Sequence, residues 1–192
     1  MRMNNTLIDR SKTALVVIDL QKGVAGILVV PHAGELVVKN AAAMAEAFRT
    51  QGMPVFLVRV TPSPDGKDAP RPIADMPWRR PTLPPDWTDI VPDLGPKPGD
   101  FVITKRQWGA FYGTELDLQL RRRGLTTIVL CGISTNIGVE STARNAFELG
   151  YNQIFVEDAM AAMSVEEHTL SVTKIFPRIG LVRKTSDILA EL

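Results

Sequence analysis

The chain is poor in the groups from which many sites are built. Cys131 is its one cysteine, so no disulfide can close within the chain, and a reducing, cytoplasmic setting is the expectation. Its 2 histidines, His32 and His168, lie far apart in sequence with no further ligand at zinc spacing, so no metal centre is expected. An excess of one charge is also missing. Lys and Arg total 22 against 21 Asp and Glu, a net charge of +1, which gives no global field toward nucleic acid or an anionic membrane. No apolar run nears the ~20 residues that span a bilayer. The opening MRMNNTLIDRSKT has no continuous apolar core of a secretion signal and reads as a short arm. What remains is ordinary globular composition, 45% hydrophobic and 22% charged, over 192 residues, a length suited to one domain spanning 1–192.

Short β-branched runs alternate with helical patterns. TALVVI at 13–18 is apolar on both faces, as a central parallel strand requires. A helix from Glu35 to Gln51 follows, ending at Gly52, and then a strand, VFLVRV, at 55–60. FVIT at 101–104 predicts a third strand, Thr114 to Arg123 a helix, and TTIVLC at 126–131 a fourth strand. The next helix runs to Leu149. NQIFVE at 152–157 precedes a helix opened by Ser164 and Glu167 at capping-box spacing, with a sixth strand near Gly180 to Val182 and a short last helix. Six strands separated by helices predict an α/β fold, a three-layer, Rossmann-like, doubly wound parallel sheet, because each parallel connection needs a crossover. The stretch 61–100 stands apart, with eleven of the 14 prolines. It reads as a lid or subunit contact, or equally as a rigid loop.

Ligands of such sheets bind beyond the carboxyl ends of the strands. Asp19 ends the first strand, Lys105 the third, and Gly132-Ile133-Ser134-Thr135-Asn136-Ile137-Gly138 follows the fourth. A carboxylate after so apolar a strand is either partnered or holds its proton, and a lysine at a neighbouring strand end would steady it. Taken singly, Asp19 is also readable as a cap and Lys105 as a solvated side chain. In the loop, Thr135 or Asn136 is placed to cap the next helix, leaving the amides of Ile137 and Gly138 to face an anion. Arg121-Arg122-Arg123 sits at a helix C-terminus, where cations offset the helix dipole, and reads as a solvated face.

ALVVIDLQ at 14–21, the K-x-x-x-x-A-F-x-x-T-x-L pattern from Lys105 to Leu116, and GISTNIGVESTARNAFELGY at 132–151 resemble the isochorismatase-like hydrolase superfamily over nearly the whole chain. In the superfamily's cysteine hydrolases an Asp and a Lys work with a nucleophilic Cys. The resemblance places them at Asp19, Lys105 and Gly138, so the thiol is missing here. Cys131, seven positions earlier at the end of an apolar strand, reads as a buried structural thiol. The D-x-H…H pattern of metal-binding nicotinamidases is absent after the second strand.

The resemblance implies a cis peptide between Ile133 and Ser134, and a pocket near Gln21, Trp108, Ile133, Ser134, Asn136 and Ile137. Phe111 and Tyr112 would lie close by, with core packing the other reading of Phe111. Arg144 would meet a substrate carboxylate or, in the favoured reading, form a structural ion pair. The implied protein is a homo-oligomeric small-molecule hydrolase without cofactor, in which Asp19 and Lys105 act with water and no thioester forms. The alternative is a catalytically silent binding or assembly protein that kept the pocket.

Overall fold

A computed structural model describes residues 7–76 and 84–192. The beginning of the N-terminal arm and residues 77–83 of the proline-rich stretch lie outside the described residues. Six strands form one parallel sheet: β1 (Thr13–Ile18), β2 (Val55–Val60), β3 (Phe101–Lys105), β4 (Thr127–Ile133), β5 (Asn152–Ala161) and β6 (Leu181–Arg183). Their order is β3-β2-β1-β4-β5-β6. The chain winds outward from β1 to β3, then returns to lay β4 against the other side of β1. The carboxyl ends of β1 and β4 therefore flank the switch point where such folds open a crevice.

The helices are α1 (Lys22–Ala25), α2 (Gly34–Thr50), α3 (Leu116–Arg122), α4 (Glu140–Glu148), α5 (Val165–Leu170), α6 (Phe176–Ile179) and α7 (Thr185–Ala190). In α2, Val37, Ala41, Met44 and Phe48 recur at three- and four-residue spacing, giving one apolar stripe. That stripe and Ile188 of α7 bury Leu15, Val17, Leu57 and Cys131 on one sheet face. On the other face, Leu116 and Leu120 of α3, Ala143 and Ala146 of α4 and Phe176 of α6 cover Ala14, Val16, Ile18 and Leu130. Alternate residues of one strand thus serve two cores.

The elements follow the expected order, with differences that have local causes. β4 continues through Gly132 and Ile133, two residues past the expected end, and β5 runs to Ala161 with a register shift opposite Leu130 and Gly132. Gly132 has φ of +126°, and a Cβ there would overlap the Ile18 carbonyl oxygen. Only glycine lets β4 approach β1 so closely. The Ser164–Glu167 capping box forms, with reciprocal hydrogen bonds of 3.1 and 3.2 Å, but the helix it opens is not continuous. It widens into a π turn at Ser171–Ile175 before α6, where Pro177 brings no N–H to the helical ladder. The short α1 was not foreseen.

Among the described residues of 61–100 there is neither helix nor sheet strand. Arg49 of α2 ties the end of this stretch down: its Nε and Nη2 donate to the two oxygens of Asp100 at 3.0 and 2.7 Å, and Nη2 also reaches the Leu94 carbonyl. Among the described residues no helix is long and apolar enough to cross a membrane.

Candidate active site

Three strand ends converge at the switch point. Asp19 follows β1 with φ of +53°, a left-handed conformation uncommon outside glycine and tolerated best by Asn and Asp. Its N–H donates to Val58, its carbonyl accepts from Gln21, and the carboxylate is thereby aimed across the sheet edge. Lys105, on the last residue of β3, meets it: Nζ lies 2.8 Å from Asp19 Oδ2. The lysine is 1% exposed and the aspartate 7%. Nζ also donates to the Trp108 carbonyl, which holds the ammonium from the other side.

Burial pushes the Asp19 carboxyl up to about 6, and the Lys105 charge and hydrogen bond offset only part of that rise. Oδ1 of Asp19 is buried and has no hydrogen-bond partner among the described residues. A carboxyl in this state can hold a proton near neutral pH and has one oxygen uncommitted. Of the two alternatives expected of such a carboxylate, a partner or a retained proton, the structure shows the partner in Lys105, and burial favours the proton.

Gly138 closes the group. It lies in a π turn, Thr135–Val139, between β4 and α4. A Cβ at Gly138 would stand 3.0 Å from Asp19 Oδ2 and 3.2 Å from Lys105 Nζ. Its φ is not in the left-handed region, so a turn requirement does not explain the glycine. Thr142, one turn along, donates to the Gly138 carbonyl at 2.7 Å and accepts from the Ala110 N–H at 3.1 Å. It ties the loop after β3 to the loop after β4. Sequence reading passed over Thr142; a hydroxyl at the first turns of α4, beside the loop, was the available signal.

Other expectations need correction. Gln21 is fully buried, and both ends of its amide are spent on Val60: Nε2 donates to the carbonyl at 3.1 Å and Oε1 accepts from the N–H at 2.6 Å. It ties the chain after β1 to the end of β2, so both polar ends of the amide are engaged within the protein. The Ile137 N–H donates to the Ser134 carbonyl at 3.2 Å, as does Val139 N–H, so the Ile137 amide is not a free anion donor. The π turn has drawn it inward. Neither Thr135 nor Asn136 caps α4; the residue preceding the π turn is Ser134, without a side-chain cap. The Thr135 hydroxyl instead meets His168 Nδ1 at 2.9 Å.

Asn136 is half-buried, with Oδ1 buried and unpartnered among the described residues. Ile133 is buried, Ser134 and Ile137 half-buried, and the Ile133–Ser134 peptide is cis. Trp108 and Tyr112 are 64% and 80% exposed, while Phe111 belongs to the core. Arg144 pairs with Glu140 at 2.9 Å, one turn back on the same helix. In the cationic run, Arg121 pairs with Asp117 and stacks on Tyr151, and Arg123 lies over Phe101. Cys131 points into the core on the α2 face, opposite the face carrying Ile18 and Val139. Burial, with the nearby Asp158 charge, pushes its thiol up to about 12. Both features are those of a structural, buried thiol.

His168 is buried, and desolvation with the His32 charge holds its imidazole down to about 4, so it is neutral at pH 7. Its ring and that of His32 stand edge to face, with centroids 5.7 Å apart. Glu157 is the third member of this group: its Oε2 lies 3.8 Å from His32 Nε2. The two histidines that the sequence separates are neighbours in the fold.

A doubly wound parallel sheet with a buried aspartate–lysine pair at its switch point defines an α/β protein of the Rossmann-like class, whose crevice lies at the carboxyl ends of its strands. The chain belongs to the isochorismatase family: the isochorismatase domain matches residues 13–187. It is 52% identical to the isochorismatase family protein YwoC of Bacillus subtilis, over 99% of each chain. An isochorismatase family protein of Burkholderia thailandensis has a solved structure that superposes with a TM-score of 0.91 at 48% identity, covering 95% of this chain and 96% of the other. The N-carbamoylsarcosine amidase of Thermoplasma acidophilum is 31% identical, with a TM-score of 0.72 over 91% of this chain and 96% of its own. The last of these is an amidase by name.

Proposed function

We propose that the chain is a small-molecule hydrolase in which water, not a protein thiol, is the nucleophile. The observation that carries this reading is the buried Asp19–Lys105 pair facing a residue with no side chain. Gly138 stands where a thiol would have to sit to reach both partners, and Cys131 is on the wrong face of the sheet. Hydrolysis of an amide through a thioester is therefore disfavoured. Acid-catalysed hydrolysis of a vinyl ether needs only the groups present.

In that reaction the protonated Asp19 gives its proton to the terminal carbon of the double bond, leaving an oxocarbenium ion and a carboxylate. Lys105 stabilises the carboxylate, whose negative charge appears as the substrate becomes positive. Water adds to the cationic carbon and returns one proton to Asp19. The hemiketal so formed breaks into an alcohol and a carbonyl compound. The unpartnered Oδ1 of Asp19 and Oδ1 of Asn136 both suit contacts to water or substrate. The substrate class extends to other ethers, esters or amides whose leaving group can be protonated by Asp19. Homo-oligomeric assembly is part of the same proposal.

The test is a panel of vinyl ethers, amides and esters assayed with wild type beside Asp19→Ala. Turnover of a vinyl ether with a loss of about 10²–10⁴ in the variant is expected. Wild-type turnover by Asp19→Ala would overturn the assignment. Binding without turnover across the panel would instead identify a silent ligand-binding protein.

A further inference from the structure

We propose that His32, Glu157 and His168 form a binding site for a divalent cation of the zinc class, distinct from the Asp19–Lys105 pair. One ligand atom from each residue lies within 4.8 Å of the others. Zinc bonds of ~2.0–2.2 Å place tetrahedral ligand atoms ~3.3–3.5 Å apart. The 3.8 Å between His32 Nε2 and Glu157 Oε2 is already close to that value, and side-chain rotation supplies the rest.

Three observations point to a ligand. His32 Nε2 is buried and has no hydrogen-bond partner among the described residues, an orphan atom aimed at Glu157. His168 is buried, with Nδ1 engaged by the Thr135 hydroxyl, so Nε2 is the ligand atom it has left to give. A hydrogen bond to the ring nitrogen that does not bind the metal fixes the ring and tautomer of metal-binding histidines. Glu157 supplies the negative charge, while Lys184 Nζ lies 3.8 Å from its other oxygen and leaves Oε2 to the cation. Two imidazoles and a carboxylate, with water in a fourth position, are a common zinc donor set.

The three ligands come from three elements. His32 is in the loop before α2, which the Val30–Ala162 bridge pins to the chain beyond β5; Glu157 is on β5; His168 is on α5. No spacing rule finds such a site, because the fold assembles it. Thr135 links it to the π turn that carries Gly138, so a bound cation would anchor that turn from behind.

The experiment titrates Zn²⁺ and Co²⁺ into full-length, chelator-treated protein, with calorimetry for stoichiometry, visible absorption for cobalt geometry and thermal melts for stability. One equivalent bound, a tetrahedral cobalt spectrum and a melting temperature that rises with free metal are expected. His32→Ala and Glu157→Gln should abolish the spectrum while keeping the native circular dichroism. Thr135→Val should weaken affinity about 10–100-fold. Absence of stoichiometric binding to folded wild type would overturn the proposal. So would equal binding by the His32→Ala and Glu157→Gln variants, which would place the ions elsewhere.

Discussion

At the scale of the residue, Asp19 shows a conflict between folding and chemistry. Burial of its carboxyl raises the pKa to about 6, so the protonated form is favoured by the fold. That contribution is fully present below the unfolded value of 3.8 and is lost as pH rises through about 6, a difference of roughly 3 kcal/mol at neutral pH, partly included in which is the help from Lys105. A left-handed φ and an unpartnered Oδ1 add to the cost of holding the group there. The return is an acid that still carries its proton near neutrality. A general acid must be protonated in the free enzyme, so kcat/KM should be level at low pH and fall about tenfold per unit above pH ~6. An aspartate at its ordinary value would begin that fall about two units lower. A profile of kcat/KM from about pH 4 to about pH 8 decides it; a flat profile would remove Asp19 as the acid, and a fall beginning near 4 would remove the raised pKa.

At the scale of the element, strands and helices were legible because each obeys a local rule: β1 is apolar on both faces, and α2 repeats its apolar stripe until Gly52. Asp19 and Lys105 were legible because strand ends are where such folds place chemistry. What the sequence concealed depends on contacts between distant segments. Gln21 reads as a pocket residue beside Asp19, yet Val60, on another strand, takes both of its polar ends. The π turn at Thr135–Val139 withdraws the Ile137 amide, and periodicity carries no mark of a single widened turn. The Arg49–Asp100 pair is another such contact, uniting α2 with the end of the proline-rich stretch just before β3. Asp100 is 2% exposed at its side chain, so removing the arginine leaves a buried carboxylate without its bidentate partner. Arg49→Ala should lower unfolding free energy by about 3 kcal/mol in urea melts. A loss below about 0.5 kcal/mol would show that the pair behaves as an ordinary surface ion pair.

At the scale of the whole molecule, the bridge between Val30 and Ala162 brings two apolar segments together at the edge of the fold. Leu28 is 88% exposed, and Ile27, Met163 and Val165 are also open to solvent. Isolated surface leucines need no explanation, but four exposed apolar residues within three positions of one bridge make this the place to test for a second copy of the chain. The same loop carries His32 and leads into α2, so a subunit seated there would press on the cation site and, through Thr135, on the turn bearing Gly138. Assembly and site would then be coupled by one short path. Light scattering at micromolar concentration should give a mass above the 21.1 kDa of one chain. Leu28→Lys should shift that mass toward the monomer, because a charge buried in an apolar contact is costly. A wild-type monomer would end the idea of assembly. An oligomer indifferent to Leu28→Lys would move the interface elsewhere, and with it the link between assembly and the Gly138 turn.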